Sequence, residues 1–284
     1  MKFFPTTKVL LVAQLALPLF ALSGHAAPGE VHVFLVGGQS NADGRGDPAG
    51  LPTSPVNLQQ AQQDVDFFEA GGSLRALAPG TQFGPEITLG RRLADSLSSA
   101  PGSSTRVAII KYARGGTSLQ SDWAPGGDAT TAGDGPDYVI FQNTVANGLA
   151  ALASVNPAAR IEMKGMLWAQ GERDAKGGFE DAYQANLTHF IADIRATYGA
   201  DLPFIISRLS IHQTDIPAEP LSVMRTAQTN VADADALNRL IDTDTFSLKS
   251  DHLHFDAAGL QALGHAAAFE LLRNHQQPTK NHSP

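Results

Sequence analysis

Four short stretches of the chain hold the residue types that hydrolytic chemistry needs. The first is Gly37-Gly38-Gln39-Ser40-Asn41, directly after an apolar run. A serine hydroxyl at the mouth of a sheet can act as a nucleophile, and neighbouring glycines let backbone N–H groups approach a substrate. The same pentapeptide also fits a glycine-rich turn whose serine caps the next helix. It is no phosphate-binding loop, because no Gly-Lys-Ser/Thr follows, and it lacks the Gly-x-Ser-x-Gly elbow. The second stretch is Asp251-His252-Leu253-His254-Phe255-Asp256. A nucleophilic serine needs an imidazole to take its proton, and that imidazole needs a carboxylate to fix its tautomer. An Asp three residues before a His can supply both from one loop. Two other readings stand beside this one: a His252/His254 metal pair with Asp251 or Asp256, and a purely structural loop with Asp256 as helix cap.

The third stretch is Trp168-Ala169-Gln170-Gly171-Glu172-Arg173-Asp174. The Gln170 amide can donate to a developing oxyanion, and Glu172 can support the loop or pair with an arginine. The fourth is Arg114-Gly115-Gly116-Thr117, a diglycine whose backbone N–H groups suit an oxyanion hole. Trp123, further along that loop, can stack on a sugar ring or pack within the loop.

Three of these stretches follow apolar runs that the chain must place side by side, and the Asp251 stretch precedes the last helix. Val31–Val36, Val107–Ile110, Met163–Trp168 and Phe204–Ile206 are near-continuous and suit parallel strands buried on both faces; Leu240-Ile241 is a weaker run. Helical patterns lie between them over 85–98, 138–153, 179–198, 222–234 and 257–274. Alternation of strand and helix predicts one doubly wound α/β domain, a three-layer α/β/α sandwich with a mostly parallel sheet. In such sheets ligands bind beyond the carboxyl ends of strands, where all four stretches fall.

Composition narrows the chemistry. The 284 residues are 43% hydrophobic and 17% charged, enough for a packed core and unlike a disordered chain. With no cysteine, disulfides, thiolate zinc sites and a cysteine nucleophile are all excluded. A net charge of -8 argues against a general nucleic-acid partner. Residues 1–26 predict a signal peptide: Lys2 and Lys8, an apolar stretch from Val9 to Leu22, then Gly24-His25-Ala26. The expected product is a secreted or periplasmic protein with no membrane anchor after cleavage. One domain is expected over 27–275, with a polar tail over 276–284.

In order along the chain, Gly38-Gln39-Ser40-Asn41, Phe83-Gly84-Pro85-Glu86, Gly115-Gly116-Thr117, Gln170-Gly171-Glu172 with Asp174, and Asp251-x-x-His254 resemble the SGNH-hydrolase superfamily. Within it they are similar to the branch of sialate O-acetylesterases and acetylxylan esterases of carbohydrate esterase family six. The resemblance spans about residues 31–273. It departs at Ala42, where the family often has methionine, and at a Gly/Asp-rich insertion around 122–135. It implies a flavodoxin-like α/β/α fold, Ser40 as nucleophile, His254 as base and Asp251 as its orienting acid. It also implies an oxyanion hole from the Ser40 N–H, the diglycine (Gly116 ahead of Gly115) and Gln170. Supporting places fall to Gln39, Asn41, Gly115 and Glu172, the last buttressing the loop or sharing the acid role with Asp251, with Asp251 preferred. No metal or cofactor is implied, and the residues themselves offer Arg114 and Trp123 for substrate contact. The expected substrate is an acetylated carbohydrate. The acidic net charge tilts the expectation towards neutral xylan, with sialate or short-chain esters as alternatives. A non-catalytic carbohydrate-binding domain and a metal-dependent hydrolase are the rivals from other classes.

Overall fold

A computed structural model describes residues 29–98, 103–126 and 132–275. The segments 1–26 and 276–284 lie outside the described residues. Among the described residues seven strands form one sheet: β1 (Glu30–Gly38), β2 (Gln62–Glu69), β3 (Arg75–Leu77), β4 (Thr105–Ala113), β5 (Arg160–Ala169), β6 (Phe204–Ser207) and β7 (Asn238–Ile241). Their order is β3-β2-β4-β1-β5-β6-β7, and every pairing is parallel except β2 with β3. The sheet is thus mostly parallel, as expected.

The helices are α1 (Ser40–Asp43), α2 (Glu86–Leu97), α3 (Pro136–Val155), α4 (Glu172–Gly177), α5 (Glu180–Tyr198), α6 (Ala218–Asp233) and α7 (Ala257–His275). Side chains alternate across a strand, so β1 feeds two cores. Val31, Val33 and Leu35 join the residues of α3, α5 and α6 on one face. Phe34 and Val36 join those of α2 and α7 on the other. Both faces are therefore covered, which is why the central strands lack polar alternation.

Strands β2 and β3 do not appear among the apolar runs of the sequence. In β2 only the stretch from Val65 to Phe68 is buried without interruption, and its carboxylates are neutralised across the fold. Asp66 pairs with Arg106 at 2.6 Å and Asp64 with Arg91 at 2.6 Å. Charge pairing lets its carboxylates sit in the sheet beside Val65, Phe67 and Phe68, which pack into the cores. Asp256 does cap α7: its Oδ1 accepts the Gly259 N–H at 2.9 Å. No helix among the described residues is long and apolar enough to cross a membrane.

Candidate active site

The carboxyl ends of β1, β4 and β5 lie side by side, and each gives way to one of the motifs. At the end of β1 the chain must leave the sheet abruptly. Gly38 has φ 132°, and a Cβ there would lie 2.2 Å from the Ala169 carbonyl oxygen of β5, so only glycine fits. Ser40 then opens the single turn α1, with the Gln39 carbonyl accepting from the N–H groups of Ala42 and Asp43 at 2.9 and 2.8 Å. The turn is braced from behind by the Phe83–Glu86 motif: Lys111 Nζ donates to the Asp43 carbonyl at 2.8 Å and to buried Glu86 at 2.7 Å.

From the opposite end of the sequence, the loop before α7 comes to the same place. His254 Nε2 stands 3.0 Å from Ser40 Oγ, and His254 Nδ1 stands 2.8 Å from Asp251 Oδ2. The other Asp251 oxygen accepts the backbone N–H groups of Leu253 and His254, both at 2.9 Å. Partial burial alone would raise the Asp251 carboxyl, but these N–H groups and the imidazole outweigh it and hold it at about 2. With both ring nitrogens of His254 engaged, neither is left to pair with His252 on a metal. His252 itself takes φ 52°, a left-handed conformation rare outside glycine, which closes the turn between the Asp and the His.

Asn41 holds the histidine loop against the serine turn. Its Nδ2 donates to the Leu253 carbonyl at 3.3 Å and to Glu172 at 2.6 Å, while its Oδ1 accepts the Phe255 N–H at 3.0 Å. One amide thus grips the backbone on both sides of His254. Gln39 supports the other flank, accepting the Arg173 N–H at 3.1 Å.

The diglycine of β4 reaches the same cleft. A Cβ at Gly115 would sit 3.5 Å from Ser40 Cβ and 2.7 Å from Arg45 Nη2, so a side chain would displace the Arg45 guanidinium. Gly116 has φ 76°. Among the described residues, the backbone N–H groups of Ser40 and Gly116 have no protein acceptor. The cleft they border has a volume of about 610 Å³. Two donors beside a serine–imidazole pair are what acyl transfer through a tetrahedral oxyanion requires.

A family model described as carbohydrate esterase, sialic acid-specific acetylesterase, matches residues 30–273. The chain belongs to this family. It is accordingly a carboxylic ester hydrolase of the carbohydrate esterase group. No curated protein matches it in sequence. Among solved structures, a protein from Arabidopsis thaliana aligns at TM-score 0.65 and 19% identity, over 87% of this chain and 99% of that one. NanS aligns at TM-score 0.61 and 16% identity, covering 89% and 100%. A carbohydrate acetylesterase from Xanthomonas citri aligns at TM-score 0.58 and 20% identity, covering 84% of this chain and 55% of its own. At these identities the likeness establishes a shared fold.

In this esterase two expected contacts are corrected. Trp123 is fully buried and packs edge-on to Trp168 at 5.0 Å between ring centroids, so it cannot stack on a sugar. Its indole N–H donates to Thr117 Oγ1 at 2.9 Å, and Thr117 donates to the Arg114 carbonyl at 2.8 Å, which props the diglycine turn from inside. Gln170 is likewise buried, with its amide nitrogen among acceptors: Asp174 at 2.5 Å, the Thr117 carbonyl at 3.0 Å and Gln39 at 3.3 Å. An amide with two N–H groups has none to spare there for a substrate oxyanion. Gln170 instead ties the β5 loop to the diglycine loop, and Asp174 finishes the tie by accepting from the Leu119 and Gln120 N–H groups. The free donors beside Ser40 are therefore backbone N–H groups.

Glu172 borders the cleft but is enclosed. Burial pushes its carboxyl upward against the opposing pull of Asn41 and Gln213. Gln213 was not among the expected site residues. Its Nε2 donates to the Leu253 carbonyl at 2.8 Å and to Glu172 at 3.2 Å, joining the loop after β6 to the histidine loop. No motif surrounds Gln213 in the sequence; only its folded neighbours give it a role. Arg114 does line the cleft, half-exposed, with its guanidinium 2.7 Å from Asp137.

Proposed function

We propose that the esterase removes O-acetyl groups from an acidic sugar through Ser40, His254 and Asp251. The observation that carries this is the chain of contacts from Ser40 Oγ through both imidazole nitrogens to Asp251, beside two unspent backbone N–H donors. Ser40 Oγ bonds to the acetyl carbonyl carbon as its proton passes to His254 Nε2. The N–H groups of Ser40 and Gly116 receive the oxyanion. Collapse breaks the bond to the sugar oxygen, which takes the proton from His254. Water then adds to the acetyl-serine, gives a proton to His254, and acetate leaves as Ser40 regains its hydrogen. Asp251, ionised down to about pH 2, fixes the tautomer and balances the imidazolium.

The acidic-sugar part rests on local charge. Arg45, Arg114, Arg173 and Lys176 all line the cleft; Asp43, Asp137 and Asp215 pair the first, second and fourth, and Arg173 is left as the uncompensated cation. At this range one unpaired cation outweighs a distributed net charge, which favours an acidic sugar over neutral xylan. The family description, which names sialic acid, points the same way.

Acetate release from O-acetylated sialic acid and from acetylated xylan tests the reading. Ser40→Ala is expected to lower kcat on the order of 10³–10⁶-fold with the fold intact, and an undiminished rate would remove Ser40 as nucleophile. Export is part of the same proposal, supported by the charged, apolar and small-residue order of 1–26. Intact mass of the protein exported from its host is expected to begin at Ala27; a chain retaining Met1 would contradict it.

A further inference from the structure

The four cations of the cleft are not equivalent. Arg45 is held by Asp43 at 2.6 Å, Arg114 by Asp137 at 2.7 Å, and Lys176 by Asp215 at 2.5 Å. Each of these three charges is largely cancelled by the chain's own carboxylates. Arg173 differs. Its guanidinium has no carboxylate partner among the described residues, although it shares the cleft with Ser40 and His254. Its main chain is nevertheless fixed, because its N–H donates to Gln39, the residue immediately before Ser40. The position of Arg173 is thereby tied to that of the serine.

An unpaired guanidinium on an open surface would simply be solvated. Here it stands in a concave site among other cations, in a chain whose net charge is -8. The cleft's own acids cannot serve it: Asp43 is bound to Arg45, and Glu172 is enclosed by Asn41 and Gln213. Arginine stays charged at any working pH and offers a planar fork that matches a carboxylate in two parallel hydrogen bonds. A bound carboxylate would supply the counter-charge that the chain withholds.

We propose that Arg173 is the specificity-determining residue of this esterase, binding the carboxylate of an acidic O-acetylated sugar while the acetyl ester lies against Ser40. The proposal rests on the Ser40 reading above and adds the group that selects the alcohol side. Arg173 is exposed and takes no part in the core, so its replacement leaves the fold in place.

The test compares wild type, Arg173→Ala and Arg173→Lys on three acetyl esters: O-acetylated sialic acid, the same sugar with its carboxylate methylated, and 4-nitrophenyl acetate. Arg173→Ala is expected to lower kcat/KM on the free acid by roughly 10- to 100-fold, the scale of a charge-assisted pair. On the methyl ester and on 4-nitrophenyl acetate the change is expected to stay within about 3-fold. Arg173→Lys restores part of the preference, since a point charge replaces the fork. An equal loss on all three esters, or a wild type that treats the free acid and its methyl ester alike, overturns the proposal. Failure of the Ser40 reading looks different: Ser40→Ala then retains activity on 4-nitrophenyl acetate.

Discussion

Both edges of the parallel sheet carry charged groups and use them in opposite ways. At the amino edge, Glu30 of β1 lies 2.5 Å from Arg160 of β5 and 3.0 Å from His32, and Glu162 is paired with both Arg160 and Lys164. Glu30, His32 and Glu162 come close enough to be measured against a metal site, yet their carboxylates are already taken by the neighbouring cations. At the carboxyl edge buried groups hold exposed ones in place: Asp251 aims His254 at the cleft, buried Asn41 grips its loop, and buried Gln213 and Glu172 back that loop and Asn41. Backbone N–H donors of Ser40 and the diglycine and one guanidinium are left over. A charge cluster that satisfies itself in water does little beyond surface solvation. A cluster that is held in place from behind and short of one partner is prepared for a ligand.

The contrast can be broken or sharpened by substitution. Asp251→Asn carries the largest expected effect after loss of the serine, a fall in kcat on the order of 10²–10⁴-fold, because the imidazole loses its tautomer lock. The same variant changes the acid limb of stability. The native carboxyl sits at about 2, below its ordinary 3.8, so its stabilising contribution is full above the ordinary value and disappears as pH falls towards 2. Denaturation midpoints measured down the acid range are expected to be flatter in Asp251→Asn than in wild type.

Glu172→Gln has a smaller effect of opposite sign. Burial raises the native carboxyl, so the unfolded chain ionises first as pH rises, and the wild type loses stability on that side. Urea midpoints are expected to be alike near pH 4 and to favour Glu172→Gln increasingly towards pH 8. A gap that shrinks with rising pH would contradict burial as the dominant influence. The smallest effect belongs to the amino edge. Glu162→Gln is expected to leave kcat/KM within about two-fold and to move Tm by no more than a few degrees, less in high salt. A large loss of activity there would mean that the two edges communicate.

Much of this site was legible because its chemistry is local in the chain. Ser40 and Asn41 follow one strand, Gly115 and Gly116 another, and Asp251 and His254 share one loop. Strand β2 and the small helix α4 were not legible, since one depends on cross-fold ion pairs and the other on the N–H groups that Gln39 accepts. Trp123 and Gln170 were misplaced for a single reason. A residue type permits sugar stacking or oxyanion donation, but its use depends on which neighbours claim it first. Here Thr117 takes the indole N–H, and Asp174 and Thr117 take the amide.

The sequence by itself determined the α/β class, the family, and which serine, histidine and aspartate could form a triad. Those features reside in patterning and in short motifs, where a few adjacent residues dictate backbone and chemistry. Tertiary structure alone decided that the three groups meet, that the Gln170 amide is spent on protein acceptors, and that one arginine of the cleft stands unpaired in an acidic chain. Ser40 and His254 are separated by 213 intervening residues along the chain. Charge and hydrogen-bond satisfaction depend on distance in space, so only the fold could leave Arg173 without a partner while pairing every other cation of the cleft.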